Sequence, residues 1–326
     1  MYHSIEGGVC AAAGFKAAGV HVGVKTHAAW KRDVALIVSE VPCAAAGVFT
    51  TNAVKAAPIH ITKAHLSDGK ARAIIANSGN ANACAPDGEE NAERMCAAAA
   101  KAIGCDASEV LVASTGVIGQ KLNVEVIENG VPELFAALEH SAEASDAAAH
   151  AIMTTDTVKK EEAAETVIGG KTVRIGGIAK GSGMIHPNMG TMFCFITTDC
   201  AISVPMLHQA LLTVARRTFN RISVDGDTST NDTFCALANG LAGNPEITAE
   251  GPDYNAFLET LESLCRTLAR KMAKDGEGAK HLITCTVKGA DSDKQAEVIA
   301  KSVISSTLTK AAVFGCDANW GRVLCA

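Results

Sequence analysis

The stretch Gly177-Ile-Ala-Lys-Gly-Ser-Gly-Met-Ile-His-Pro-Asn-Met-Gly-Thr-Met-Phe-Cys-Phe-Ile-Thr-Thr-Asp199 decides the reading of the chain. Gly177, Gly181, Gly183 and Pro187 make a flexible approach as far as Gly190, and Thr191 then opens an apolar run, Met192, Phe193, Cys194, Phe195 and Ile196. Such a pattern is a loop that delivers a hydroxyl residue to the first position of a buried strand. Gly190 carries no side chain, so the Gly190–Thr191 carbonyl lies open to a nucleophile, and the nearest is the hydroxyl of Thr191. Attack there would turn the amide into an ester, water would cut the chain, and Thr191 would keep a free α-amine beside its hydroxyl. An α-amine titrates near about pH 7.7–8.0, close enough to neutrality to serve as the hydroxyl's own base. On spacing alone, a Thr that merely begins a strand accounts for the same residues.

On either side of this stretch, strand and helix patterns alternate. Residues 33–41, 48–51, 71–76 and 110–113 read as strands, 165–178 as a hairpin turned at Gly169-Gly170, and 281–287 and 311–315 as two late strands. Helical patterns cover 89–103 with Gly104 as stop, 125–148 as two helices broken around 139–141, then 204–219, 254–273 and 293–305. The sequence therefore predicts an α/β (α+β) body of layered sheets flanked by helices. Two strand ends carry polar strings. Asn77-Ser-Gly-Asn-Ala-Asn82 could bind a ligand or turn the chain. Ser114-Thr115-Gly116 would set a hydroxyl beside a backbone N–H, the two donors an oxyanion hole requires, or make an ordinary glycine turn.

Bulk properties remove several function classes. Net charge is −6 with no run of four basic residues, which speaks against a nucleic-acid partner, and no apolar run is long enough for a membrane span. Aromatic residues are only 4%, so the core has to be built from small side chains in close contact. The 12 cysteines contain no Cys-x-x-Cys pair and sit mostly in apolar company, as buried thiols of a reducing, cytoplasmic compartment would. Gly170-Lys171-Thr172 is no phosphate loop, because Glu165 stands where its first Gly belongs. Gly181-Ser-Gly183 fails the dinucleotide pattern at His186, and the Asp225–Asp232 string fails a calcium loop at Ala236, leaving it as a hydrogen-bonded turn.

The string from Lys180 to Met192 resembles the self-cleavage motif of the ornithine acetyltransferase family, the glutamate N-acetyltransferases of arginine biosynthesis. Further stretches resemble family signatures in the family's order: Gly14–Gly19, Ala46–Asn52, Asn77–Asn82, Ala113–Gly119, Met153–Thr157, Val224–Asp232 and Asp317–Arg322. The resemblance implies an ornithine acetyltransferase-like fold cut into two interlocked chains, 1–190 and 191–326, that share one continuous body. It implies Thr191 as nucleophile with its own α-amine as base, cleavage between Gly190 and Thr191, and an oxyanion hole at Thr115 and Gly116. Substrate contacts would fall on Thr154, Lys180, Thr191 and Glu277, with Lys180 facing a carboxylate and Glu277 an ammonium. The implied reaction moves acetyl from N-acetylornithine to glutamate by double displacement. It needs no metal or organic cofactor, with acetyl-CoA as an optional co-substrate. The implied assembly is a heterotetramer of two chains of each kind.

Two departures from the family pattern bear on activity. Gly190 replaces the usual Ala, and the chain stops at Cys325-Ala326, where the family continues into a segment with an Asn and a Thr that contact substrate. Two rivals follow, a self-cleaving amide hydrolase or aminopeptidase in which water completes the reaction, and an inactive remnant.

Overall fold

The fold turns on β3 (Val34–Phe49), a strand of 16 residues where the sequence predicts two shorter ones. The computed structural model describes residues 2–28, 30–186 and 192–326. The first half of β3 pairs with β2 (Phe15–Val20) and β4 (Lys70–Asn80); its register then shifts between Val38 and Cys43, and Ala44 to Phe49 pair with β9 (Thr233–Ala238). Pro42 lies in the shift, where its missing N–H leaves no gap in a regular ladder. Beyond β4 comes β5 (Val110–Val117), parallel to it. Beyond β9 come β8 (Phe193–Thr198), β7 (Lys171–Lys180), β6 (Lys160–Ile168) and β1 (His3–Ile5).

The bend at β3 splits the sheet into two leaves. One buried cluster holds Ile37, Ile74 and Leu111 from the first leaf and Ile178, Phe193, Phe195 and Leu237 from the second, so the leaves face each other across a shared core. The outer face of the first leaf is covered by α2 (Gly88–Ile103) and α3 (Val124–Ala136), and that of the second by α5 (Val204–Arg217) and α6 (Pro252–Lys274). The helix α1 (Ala57–His65) lies against β5, and α4 (Ala142–Ala151) packs on β2. Layered sheets flanked by helices are thus what the chain forms.

Local signals explain most of the elements. Gly104 ends α2 in the left-handed region, and Ser141 caps α4 by accepting the N–H of Ala144. Gly169 and Gly170 both have positive φ, as the two-residue turn between β6 and β7 requires. In β8 all six residues are buried, Phe193 and Phe195 toward the shared core and Cys194 and Ile196 toward α5 and α6. Each phenylalanine so placed contributes about 1.5–3 kcal/mol. Strands from both sides of residue 191 therefore share one sheet; Gly190 and Thr191 themselves lie outside the described residues.

Two expectations fail. Residues 281–287 form no strand: alternate side chains are half-buried, but no neighbouring strand pairs with the segment among the described residues. Residues 311–315 fall largely in a helix, α8 (Thr307–Phe314), after α7 (Asp293–Ser305) and before α9 (Gly321–Cys325). Ser306 starts α8 by accepting the N–H of Thr309, and Lys310, Ala311 and Ala312 favour helix strongly enough to carry Val313 and Phe314 with them. All 12 cysteines are free, seven of them buried, and no helix among the described residues is long and apolar enough to cross a membrane.

Candidate active site

Strand ends from the two leaves meet at one place. At the end of β5, Gly116 has φ +135° and lies beside Gly79 of β4. A Cβ on Gly116 would run into the carbonyl of Gly79 and sit 2.5 Å from the amide nitrogen of Asn80, so only glycine fits. The preceding residue, Thr115, is buried, and its Oγ1 accepts a hydrogen bond of 3.0 Å from Lys180 Nζ. Lys180 is the last residue of β7, in the other leaf; it is also buried, with its ammonium 5.9 Å from the ring centre of Phe193. Two residues picked out separately in the sequence are thus in direct contact.

Carboxylates surround this cation. Burial pulls the Lys180 pKa down, while the charges of Asp156, Asp232 and Glu277 pull it back up. Asp232, just before β9, is fully buried, which pushes its carboxyl well above the usual range against the opposing effects of the Met192 N–H and Lys180. Its Oδ1 accepts the N–H of Met192 at 2.6 Å and so anchors the peptide unit that follows Thr191.

Asp156 shapes the turn between α4 and β6. It accepts the N–H of Thr154 at 3.1 Å, the N–H of Gly181 at 2.8 Å and Lys160 Nζ at 2.6 Å. Burial by itself would raise its pKa, but Lys180, Lys160 and the Gly181 N–H together hold it below the ordinary 3.8. A carboxyl that binds its proton less well folded than unfolded contributes its full stability above pH 3.8, and this is lost as pH falls below that value. Replacing Asp156 by Asn is expected to lower stability at neutral pH by about 3–5 kcal/mol, because buried ammonium groups are left undercompensated. It should also flatten the acid limb below pH 3.8; calorimetric melting against pH checks both.

Thr154 and Glu277 reach the same region through the backbone. Glu277 donates its N–H to the carbonyl of Ser182 at 3.2 Å, and its carboxylate lies where a side chain on Gly183 would be. Lys25 adds a second cation: its Nζ donates to the carbonyls of Arg32 (2.9 Å) and Met153 (2.8 Å), and its stem lies over Gly79. Burial lowers its pKa to about 8, with Asp33 pulling the other way. The polar strings mainly scaffold the site. Asp225 accepts the N–H groups of Met184 and Ile185, Thr228 donates to the carbonyl of His186, and Asn231 donates to the carbonyls of Ala81 and Ser114. Asn77, Asn80 and Asn82 likewise bond within the chain, so the structure favours the turn over the ligand. Among the described residues no cluster of His, Cys, Asp or Glu could hold a metal ion.

A cavity of about 680 Å³ touches the region at Glu277 and runs away along Arg217–Val224 and residues 278–287. The junction of Thr115, Gly116 and Lys180 lies apart from it, where a buried cation meets a buried hydroxyl across the two leaves.

The family model described as the ArgJ family matches residues 16–326. The chain belongs to the ArgJ family. An ArgJ relative from Symbiobacterium thermophilum, named an arginine biosynthesis bifunctional protein, is 52% identical over 323 residues, or 99% of this chain and 80% of the relative. A solved ArgJ-like structure, ornithine acetyltransferase from Mycobacterium tuberculosis complexed with ornithine, is 41% identical with a TM-score of 0.54. The match covers 59% of this chain and 100% of that one. An aminopeptidase from Ochrobactrum anthropi with an Ntn-hydrolase fold shares the architecture at a TM-score of 0.50, covering 85% of this chain and 90% of its own, but only 11% identity. Of the ArgJ residues expected from sequence, Thr115 and Lys180 touch, Gly116 adjoins them, Thr154 and Glu277 are tied in through neighbours, and Gly190 and Thr191 lie outside the described residues. Sequence reading misses Lys25, Asp156, Lys160, Asp232 and Asp275. One signal was present: Lys160 is in phase with the inward-facing Ala164, Thr166 and Ile168 of β6.

Proposed function

We propose that this ArgJ-family chain cuts itself between Gly190 and Thr191 and then carries acetyl from N-acetylornithine to glutamate. The contact between Lys180 and Thr115 carries the reading. Because Thr115 Oγ1 accepts from Lys180, its own proton is free to donate, and the ammonium polarises that hydroxyl toward a developing oxyanion. The Gly116 N–H is the second donor. The same donors serve three tetrahedral intermediates, that of the self-cleavage and those of the two acetyl transfers.

In the first transfer the Thr191 hydroxyl adds to the acetyl carbonyl and gives its proton to the Thr191 α-amine. The C–N bond breaks, ornithine leaves with that proton, and an acetyl ester remains. The glutamate amine then attacks the ester, its proton returns to the Thr191 oxygen, and N-acetylglutamate leaves. Lys180 faces the α-carboxylate that both amino acids carry and Glu277 the side-chain ammonium of N-acetylornithine, with Thr154 beside them. Acetyl-CoA would enter the same cycle as an alternative donor, and no step requires a metal or organic cofactor. The solved relative complexed with ornithine supports the substrate, and its whole length matches 59% of 326 residues, close to the 190 that precede Thr191, which supports the two-chain form.

Intact-mass measurement and N-terminal sequencing test the maturation, and transfer of labelled acetyl from N-acetylornithine to glutamate tests the reaction. Fragments of 190 and 136 residues with glutamate-dependent ornithine release are expected. An uncut chain, or release of acetate without glutamate, overturns the reading. Replacing Thr115 by Val should lower kcat about 10²–10³-fold, measured on the cut form, since one oxyanion donor is lost.

A further inference from the structure

Lys160 stands outside every motif of the chain, yet it is the most completely enclosed cation near the site. It is fully buried at the first position of β6, and its three protons go to Asp156 Oδ1 (2.6 Å), Asp275 Oδ2 (2.6 Å) and the carbonyl of Val158 (3.2 Å). The two carboxylates belong to different parts of the pocket. Asp156 holds the N–H groups of Thr154 and Gly181, the latter adjoining Lys180. Asp275 ends α6, accepts the N–H of Thr157 at 3.0 Å, and takes the Ser182 hydroxyl on its own carbonyl at 2.6 Å. Two residues later Glu277 donates its N–H back to Ser182.

We propose that Lys160 is a positioning residue that fixes the distance between the carboxylate-binding end of the pocket, at Lys180 and Thr154, and the ammonium-binding end, at Glu277. This deepens the acetyl-transfer reading and rests on it. Without the shared ammonium, Asp156 and Asp275 become like charges across a dry gap and push the two turns apart. Ornithine and N-acetylornithine carry an α-carboxylate and a side-chain ammonium and so bridge the two ends, whereas glutamate engages the Lys180 end alone; binding of the ornithine pair should therefore weaken more than that of glutamate. Gly116 is held by the β4–β5 ladder, so the chemical step should suffer less than binding.

The test uses Asp275→Asn, the charge-balanced pair Lys160→Met with Asp275→Asn, and Lys159→Met as control, since Lys159 pairs with the outlying Asp146. Ornithine affinity is measured by calorimetry on the cut protein, alongside KM and kcat for N-acetylornithine and glutamate. Asp275→Asn should weaken ornithine binding and raise KM for N-acetylornithine about tenfold, and KM for glutamate less, with kcat within about threefold, and the double variant should do little more, because both changes break one link. The control should match the unchanged protein. Folded Asp275→Asn and double variants with ornithine affinity and KM for N-acetylornithine within about twofold of the parent overturn the proposal. An unchanged protein that binds no ornithine overturns the acetyl-transfer reading itself, and this proposal with it.

Discussion

Thr191→Ala is expected to leave the chain in one piece and to take acetyl transfer to background. On the proposed reading the alanine removes the one hydroxyl that would both open the Gly190–Thr191 bond and carry the acetyl group, so the cut and the turnover should go together. Removal of a nucleophile typically lowers kcat by about 10³–10⁶-fold, the residue of activity coming from binding and the oxyanion donors alone. Thr191→Ser keeps the hydroxyl and should still be cut. Mass spectrometry of the two variants beside the parent separates the hydroxyl's chemistry from damage to β8, because both variants leave the Met192–Asp232 bond in place. If Thr191→Ala is cut, another group opens the chain and the reading falls.

Gly116→Ala should be nearly as severe by a different route. The added methyl meets the backbone of β4 at Gly79 and Asn80, and φ at +135° is a conformation that alanine rarely adopts. The strand ends must move apart, which would shift the Gly116 N–H and the neighbouring Thr115 hydroxyl together, away from where the proposed oxyanion would form. The expected loss is about 10²–10³-fold in kcat with KM less affected, and a stability loss of about 1–3 kcal/mol. Kinetics on the cut form and thermal unfolding measure the two separately. An active, equally stable Gly116→Ala protein would remove Gly116 from the site.

The strands and helices with strong periodicity or clear caps are legible in the chain, among them α2, the hairpin of β6 and β7, and buried β8. The bend of β3 is less so, since only Pro42 hints that two apolar runs belong to one strand that changes leaf. Residues 281–287 show the limit of pattern reading: alternation says which side chains face inward, but a ladder also needs a neighbouring strand. For the candidate site, the family resemblance names Thr115, Lys180 and Glu277. The contact between the first two, 65 positions apart, depends on how the leaves close. The buried network of Lys160, Asp156 and Asp275 was hidden because a lysine beside a strand and an aspartate at a helix end look like solvated surface until both leaves and α6 are in place.

Sheet order carries one more consequence. β8 and β9 lie between β7 and β3, and both of those flanking strands come from the first 190 residues. A separately made first segment would have to keep a slot two strands wide open, with unpaired edges on either side that invite collapse or aggregation. The two halves, made apart, should therefore recombine poorly. Peptide continuity through residue 191 would work as a template during folding and become dispensable afterwards, when the ladders on both sides hold the inserted strands as a kinetically trapped pair.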